Sequence, residues 1–328
     1  FPASLTIQAD EGLRWKPATR VENACASGSA AIYNAINAIK AGDAEIVLVV
    51  GAEKMTNNST ADVAAALGGA SYQKEEAGLS FPQIFAQFAQ AYFEEFGDHS
   101  STLATIAAKN HANGAKNPLA HMRKDVGFDF CNTVSDKNPY VAAPLRRTDC
   151  SLISDGAAAI VLADEAIAAD LERAIAFRAR AHTNDVLALS RRDPSEFAGP
   201  REAWKRALAA SGLTLDDLDM VETHDCFTIA EIIATEDLGF FEPGEGPRAV
   251  DEGRTALAGD RPINTSGGLK SKGHPVGASG VAQVIEIFHQ LRGEAGLRQL
   301  ADPNLEVGLT HNVGGTGGTC VVNILRRG

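Results

Sequence analysis

The 328-residue sequence has no run approaching the ~20 apolar residues that a membrane-spanning helix needs. No charged-then-apolar segment opens it, so neither secretion nor membrane embedding is expected. Cysteines are few and scattered: Cys25, Cys131, Cys150, Cys226 and Cys320 form an odd set without C-x-x-C spacing. That speaks against a disulfide scaffold or a structural zinc site, and for a reducing, cytoplasmic compartment. Positive charge is also short. With 30 basic residues against 42 acidic and a net charge of −12, a general binder of nucleic acid or anionic membrane is excluded, though a local basic patch for a phosphorylated ligand is not. The closing Leu-Arg-Arg-Gly is not a peroxisomal tripeptide. What is present, 45% hydrophobic residues over this length, suits two packed domains or one large two-part unit.

The most informative stretch is residues 21–31, Val-Glu-Asn-Ala-Cys-Ala-Ser-Gly-Ser-Ala-Ala. Ile32, Ile36 and Ile39 follow at helical spacing, which puts Cys25 beside a helix N-terminus, a place that favours anions, thiolates included. Small neighbours at Ala24, Ala26, Ser27 and Gly28 let a carbonyl reach the sulfur and let backbone N–H groups point at its oxygen. Alone, such a cysteine reads first as a buried structural thiol. Three later stretches turn the reading towards a nucleophile.

In chain order, residues 1–16 read as a helix with Leu5, Ala9 and Leu13 on one face. A short strand at 21–25, a helix at 30–39 and an apolar strand at 44–50 make one strand–helix–strand unit of a parallel sheet. Residues 56–149 read as an inserted loop domain of polar turns and amphipathic pieces with a helix at 101–113. In it His111, Asn117 and His121 are expected to face solvent or cap turns. Residues 153–162 return as a small-residue turn into a buried strand. The second half offers a strand at 174–181, a helix at 201–211 and a strand at 219–223. That last strand leaves through His224-Asp225-Cys226-Phe227 into a helix at 228–238. Reactive residues at a strand's C-terminal end are where open α/β sheets place their chemistry. Residues 264–287 form a glycine-rich loop carrying His274 and then a small-residue helix like the one after Cys25. A strand at 306–310, a glycine loop at 311–318 and a buried strand at 319–325 close the chain, so the halves read as copies of one α/β unit.

Together these residues resemble the thiolase family, most closely its sterol-carrier-protein-2-type branch. Cys25 in Asn-Ala-Cys-Ala-Ser-Gly is similar to the family's Cys-x-Ser nucleophile motif, and His274 to its Gly-His-Pro motif. His224-Asp225-Cys226-Phe227 is the form this branch has where other thiolases carry Asn-Glu-Ala-Phe. Asn312-Val313-Gly314 stands in place of Cys-x-Gly, with asparagine for the second cysteine; in this branch the cysteine of His-Asp-Cys-Phe is thought to take over that role. The resemblance implies a five-layer α-β-α-β-α thiolase fold with two related halves, residues 1–172 with the loop domain at about 56–149 inserted, and residues 173–328. It also implies at least ~30 further residues, a strand–helix–strand portion, ahead of residue 1.

The activity it implies is coenzyme-A-dependent acyl transfer: acetyl-CoA acetyltransferase or 3-ketoacyl-CoA thiolase chemistry through an acyl-Cys25 intermediate, in fatty-acid and lipid metabolism. Coenzyme A or acetyl-CoA enters as substrate, with no permanent cofactor and no metal. A thiol of ordinary pKa about 8.5 is mostly protonated at neutral pH, so a base is needed, and the resemblance offers His274. Carbanion formation needs a second acid/base, for which Cys226 is the candidate. His274 and His224 are the implied enolate donors, and the backbone N–H groups of Cys25 and Gly314 the implied holders of the acyl oxygen. Taken singly, Cys226, His274 and the 314–318 glycines also fit packing, a turn and a tight strand entry. His311 fits an added donor or a packed neutral imidazole, Cys131, Cys150 and Cys320 are left as structural, and Lys270 with Lys272 fits coenzyme A phosphates or solvated lysines. Expected partners are acyl-CoA substrates, a second copy in a homodimer or dimer of dimers, and a small zinc-ribbon/OB-fold acyl-CoA-binding protein. A subunit acting mainly in such a complex or in lipid binding is the principal rival function; a ketoacyl synthase, whose histidine and asparagine loops differ, is the weaker one.

Overall fold

The computed structural model describes residues 2–328; Phe1, where the first helix was expected to begin, lies outside the described residues. The helix expected to Lys16 ends at Thr6 and breaks into two short 3-10 turns, the second capped by Asp10. Among the described residues none of its side chains is buried, Leu5 is exposed, and the chain turns at Trp15 with φ 69°. An apolar stripe without a partner surface does not hold a helix.

The elements that carry the site follow in order. They are α1 (Ser27–Ala41), β1 (Ile46–Glu53), α2 (Phe81–Phe96), α3 (Ser100–Ala115), β2 (Gly156–Ala163), β3 (Ile175–Asn184), α4 (Ala198–Ser211), β4 (Met220–Glu222), α5 (Thr228–Asp237), α6 (Val276–Leu291), β5 (Val307–Gly314) and β6 (Thr319–Arg327). β1 and β2 pair antiparallel over their full length, Ile46 opposite Ala163 and Glu53 opposite Gly156. The second sheet has the order β3-β6-β5-β4, parallel only between β4 and β5. A helix, a strand and an antiparallel return strand thus occur twice, as α1-β1-β2 and α6-β5-β6, which is the internal repetition expected.

Two expectations are corrected here. Residues 21–25 are a turn rather than a strand of a parallel unit, because side chains take the backbone donors a ladder would use. Asn23 N–H donates to Ser27 Oγ at 2.8 Å and Ala24 N–H to Glu22 Oε1 at 2.7 Å, while Ala24 bends the chain at φ 48°. The glycine loop expected from His311 starts later, since β5 runs through Gly314 and only then turns at Gly315.

α1 and α6 lie side by side between the two sheets, around Ile32, Val49, Leu162, Met220, Val281, Val284 and Ile287. α4 covers the outer face of the second sheet through Trp204, Ala203 and Ala207. The outer face of β1 and β2 is open among the described residues, with Leu48 44% and Val161 67% exposed, so β2 is half buried rather than buried. The 56–149 segment is far more helical than its polar composition suggested. α2 repeats Ile84, Phe85, Phe88 and Tyr92 on one face and packs with Leu103 and Ile106 of α3 onto Phe227, Ile229 and Ile233. Among the described residues no helix is long and apolar enough to cross a membrane.

Candidate active site

Cys25 stands two residues before α1 and His274 two residues before α6, so the two repeats offer them from equivalent places. The helices can bring their ends together because their seam is glycine against backbone. A Cβ on Gly280 would lie 2.2 Å from Asn312 Oδ1 and 2.6 Å from Ser29 N. The β4 exit loop adds His224, and the Cys25 sulfur and one ring nitrogen from each histidine lie within 4.8 Å of one another. The two imidazoles meet edge to face, centroids 5.0 Å apart at 79°.

The hydrogen-bond partners of each ring assign its proton to one nitrogen. Ser279 Oγ donates to the Pro275 carbonyl at 3.0 Å, so its 2.7 Å contact with His274 Nδ1 is one it accepts. His274 therefore holds its proton on Nδ1, and Nε2 is a buried lone pair without a protein partner. Asn312 Nδ2 faces the Cys25 carbonyl at 3.1 Å, which only a donor satisfies; the same nitrogen stands 3.1 Å from His224 Nδ1, which then accepts. His224 consequently carries its proton on Nε2. One ring is arranged as an acceptor and the other as a donor.

Burial sets the charges. Cys25 keeps some surface exposed, yet burial pushes its thiol up to about 11, with N–H groups of Gly315 and of Cys25 itself opposing. The helix N-terminus does not leave a standing thiolate, because desolvation outweighs it. Burial, then the neighbouring Lys272, brings His274 down to about 4. Burial and the nearby His274 hold His224 well below the usual imidazole range. The resting pair is thus a neutral thiol and a neutral imidazole. Cys226 is buried beside this group, its thiol raised by burial and then by Cys25. Gly314 is pressed against the nucleophile's turn, where a Cβ would fall 2.6 Å from the Asn23 carbonyl oxygen. The N–H that reaches the Cys25 sulfur belongs to its neighbour Gly315.

Three participants escaped the sequence reading. Ser279 and Asn312 orient the two histidines. Asp225 ties their loops together: its carboxylate accepts Leu269 N–H at 2.7 Å, from the turn leading to His274, and Asn110 Nδ2 at 2.9 Å. The only signal for Asp225 was its place between His224 and Cys226; long-range partners such as Asn110 leave no local pattern.

Other expectations have mixed outcomes. Lys270 is fully buried, its ammonium on the carbonyls of Arg147 and Cys150, and Lys272 faces Glu222 at 3.6 Å, so neither is free for a phosphate. His111 and Asn117 are buried rather than solvent-facing; Asn117 does cap a turn, accepting Leu119 N–H at 3.0 Å, and His121 is exposed. His311 is a buried neutral imidazole that burial lowers to about 4. It sits on the Leu309–Val313 face of β5, opposite Asn312.

Comparison with known proteins places this geometry. Residues 6–166 match the family described as Thiolase, N-terminal domain, and residues 180–327 that described as Thiolase C-terminal domain-like. The chain is 44% identical to an acetyl-CoA acetyltransferase of Methanothermobacter thermautotrophicus, over 99% of this chain and 84% of that protein. It is 34% identical to sterol carrier protein 2 of Bos taurus, over 97% of this chain and 60% of that protein. A solved Ltp2-ChsH2(DUF35) aldolase shares the fold with a TM-score of 0.78 at 23% identity, covering 93% of this chain and 78% of that one.

Proposed function

The chain belongs to the thiolase family, and we propose that its acyl transfer runs through Cys25 with His274, His224, Cys226 and Gly314 in the roles derived below. It is a coenzyme-A-dependent acyltransferase of the acetyl-CoA acetyltransferase kind, with acyl-CoA thioesters as substrates and coenzyme A entering as substrate rather than resident cofactor.

One observation carries the assignment: the Cys25 sulfur and one ring nitrogen each of His274 and His224 lie within 4.8 Å of one another, and His274 Nε2 is buried without a protein partner. As the sulfur attacks the thioester carbonyl, its proton passes to Nε2, and the carbonyl oxygen is held by the N–H groups of Cys25 and Gly314. Coenzyme A leaves with that proton, and acyl-Cys25 remains. In the synthetic direction Cys226 first passes its own proton to His274 Nε2 and then, as thiolate, takes one from C2 of acetyl-CoA. The enolate oxygen is stabilised by the His224 Nε2–H and by the proton now on His274 Nε2, and C2 attacks the acyl carbon and frees Cys25, which takes that proton back. A thiol held protonated by burial suits the reverse direction, where Cys226 gives that proton to the carbanion.

The wider reading has two halves, 1–172 and 173–328, supported by the repeated helix–strand–strand unit. It also has a cytoplasmic location, supported by five free cysteines, and a homodimer, supported by the open apolar face of β1 and β2. A zinc-ribbon/OB-fold acyl-CoA-binding partner is supported by the likeness to the DUF35 assembly. Intact-protein mass spectrometry after brief exposure to acetoacetyl-CoA tests the core of it. An acyl adduct mapping to Cys25 and absent from Cys25→Ala is expected; an adduct elsewhere, or none from the folded chain alone or with such a partner, overturns it.

A further inference from the structure

The group that performs acyl transfer has a second capability that the reaction does not use. Cys25, His224 and His274 converge one sulfur and two imidazole nitrogens from three separate segments, within 4.8 Å of one another. Tetrahedral zinc holds sulfur at about 2.3 Å and nitrogen at about 2.0–2.1 Å, which sets its ligands roughly 3.5 Å apart. The three donors need only small side-chain rotations to close to that spacing. Thiolate with imidazole is the donor set that zinc and cadmium prefer over magnesium and calcium. A second observation points into the same space: His274 Nε2 is buried, carries no proton and has no protein partner.

We propose that this triad is an inhibitory binding site for one thiophilic divalent cation of the zinc class. Binding exchanges a proton for a metal–sulfur bond: the Cys25 S–H breaks, Sγ bonds the cation, and one proton leaves to solvent. His274 ligates through its free Nε2 without rearrangement, since Ser279 already holds its Nδ1–H. His224 ligates through Nε2 after its ring proton shifts to Nδ1, and Asn312 accepts from that Nδ1–H by turning its Oδ1 towards the ring, giving up its bond to the Cys25 carbonyl. The fourth position is left to water. With the sulfur bound, no acyl group can form on it, so the cation and the acyl-enzyme exclude each other.

Titration of the metal-free chain with Cd2+, followed by thiolate-to-metal absorption and calorimetry, tests this without any turnover. Its outcome is therefore separate from that of the acyl-transfer assignment. One cadmium per chain is expected, reversed by chelator and blocked by prior acylation of Cys25. Cys25→Ala should abolish the absorption, and His274→Ala and His224→Ala should each weaken binding by at least about ten-fold. Asn312→Asp, which gives His224 a carboxylate partner, should tighten it by roughly 10–100-fold. Cys226→Ala should leave the absorption in place. Absorption that survives in Cys25→Ala, disappears in Cys226→Ala, or keeps its affinity in both histidine variants overturns the three-ligand site.

Discussion

Ser279 Oγ sits 2.7 Å from His274 Nδ1 and gives its own proton to the Pro275 carbonyl, so a hydroxyl one turn into α6 keeps the ring's proton on Nδ1 and leaves Nε2 as its free acceptor. Replacing it with alanine frees the ring to put its proton on Nε2, where it cannot accept one. For Ser279→Ala a roughly 10–100-fold fall in kcat is expected with KM little changed, and recovery in Ser279→Thr. Steady-state kinetics on the three proteins checks this; a change confined to KM would contradict it.

The same ring fixes a pH dependence. His274 can take the Cys25 proton only while neutral, and burial followed by Lys272 has lowered it from 6.5 to about 4. The rate of Cys25 acylation should therefore lose its acid limb near pH 4 rather than near 6.5. Single-turnover acylation across acidic pH reads the limb directly, and a limb at the ordinary imidazole position would refute a buried neutral base.

Asp237 offers a stability test away from the chemistry. Its carboxyl accepts Phe197 N–H at 2.7 Å, but burial raises it from 3.8 to about 7 despite that bond and the nearby Arg201. Between those values the folded protein holds a proton that the unfolded chain has lost. The contribution is thus fully present below 3.8 and disappears as pH rises through about 7. Asp237→Asn keeps an acceptor for Phe197 and removes the titration. Its Tm should exceed that of the parent at about pH 8 and the advantage should vanish in acid, as thermal melts at several pH values will show.

Gly280→Ala should act at a distance from its own position. The added methyl meets Asn312 Oδ1 and Ser29 N, so either the helices part or Asn312 leaves the Cys25 carbonyl and His224. Overpacking of this kind costs about 1–3 kcal/mol, and activity should fall by more than the unfolded fraction explains. Denaturant melts alongside kinetics separate the two losses.

Local chemistry made much of this legible. Isoleucine spacing gave α1, the apolar run gave β1, and three short motifs named Cys25, His224, Cys226 and His274 before any fold was known. What stayed hidden was settled by side-chain contacts without a sequence pattern, some local and some far apart in the chain. The turn at residues 21–25 has strand-like composition, but Ser27 and Glu22 take its backbone donors. Lys270 and Lys272 looked like exposed cations until Arg147, Cys150 and Glu222 closed over them. Buried polar partners such as Ser279 and Asp225 carry no periodicity of their own, so nothing local marks them.

The placement of Cys25 and His274 two residues ahead of matching helices makes them equivalent positions of the two repeats. Strict symmetry would set identical side chains face to face. Two cysteines there could oxidise to a disulfide and two histidines could share an ion, but neither pair could hand a proton from a strong nucleophile to a base. A different residue at each of the two equivalent positions supplies the nucleophile and the base that a matched pair would lack.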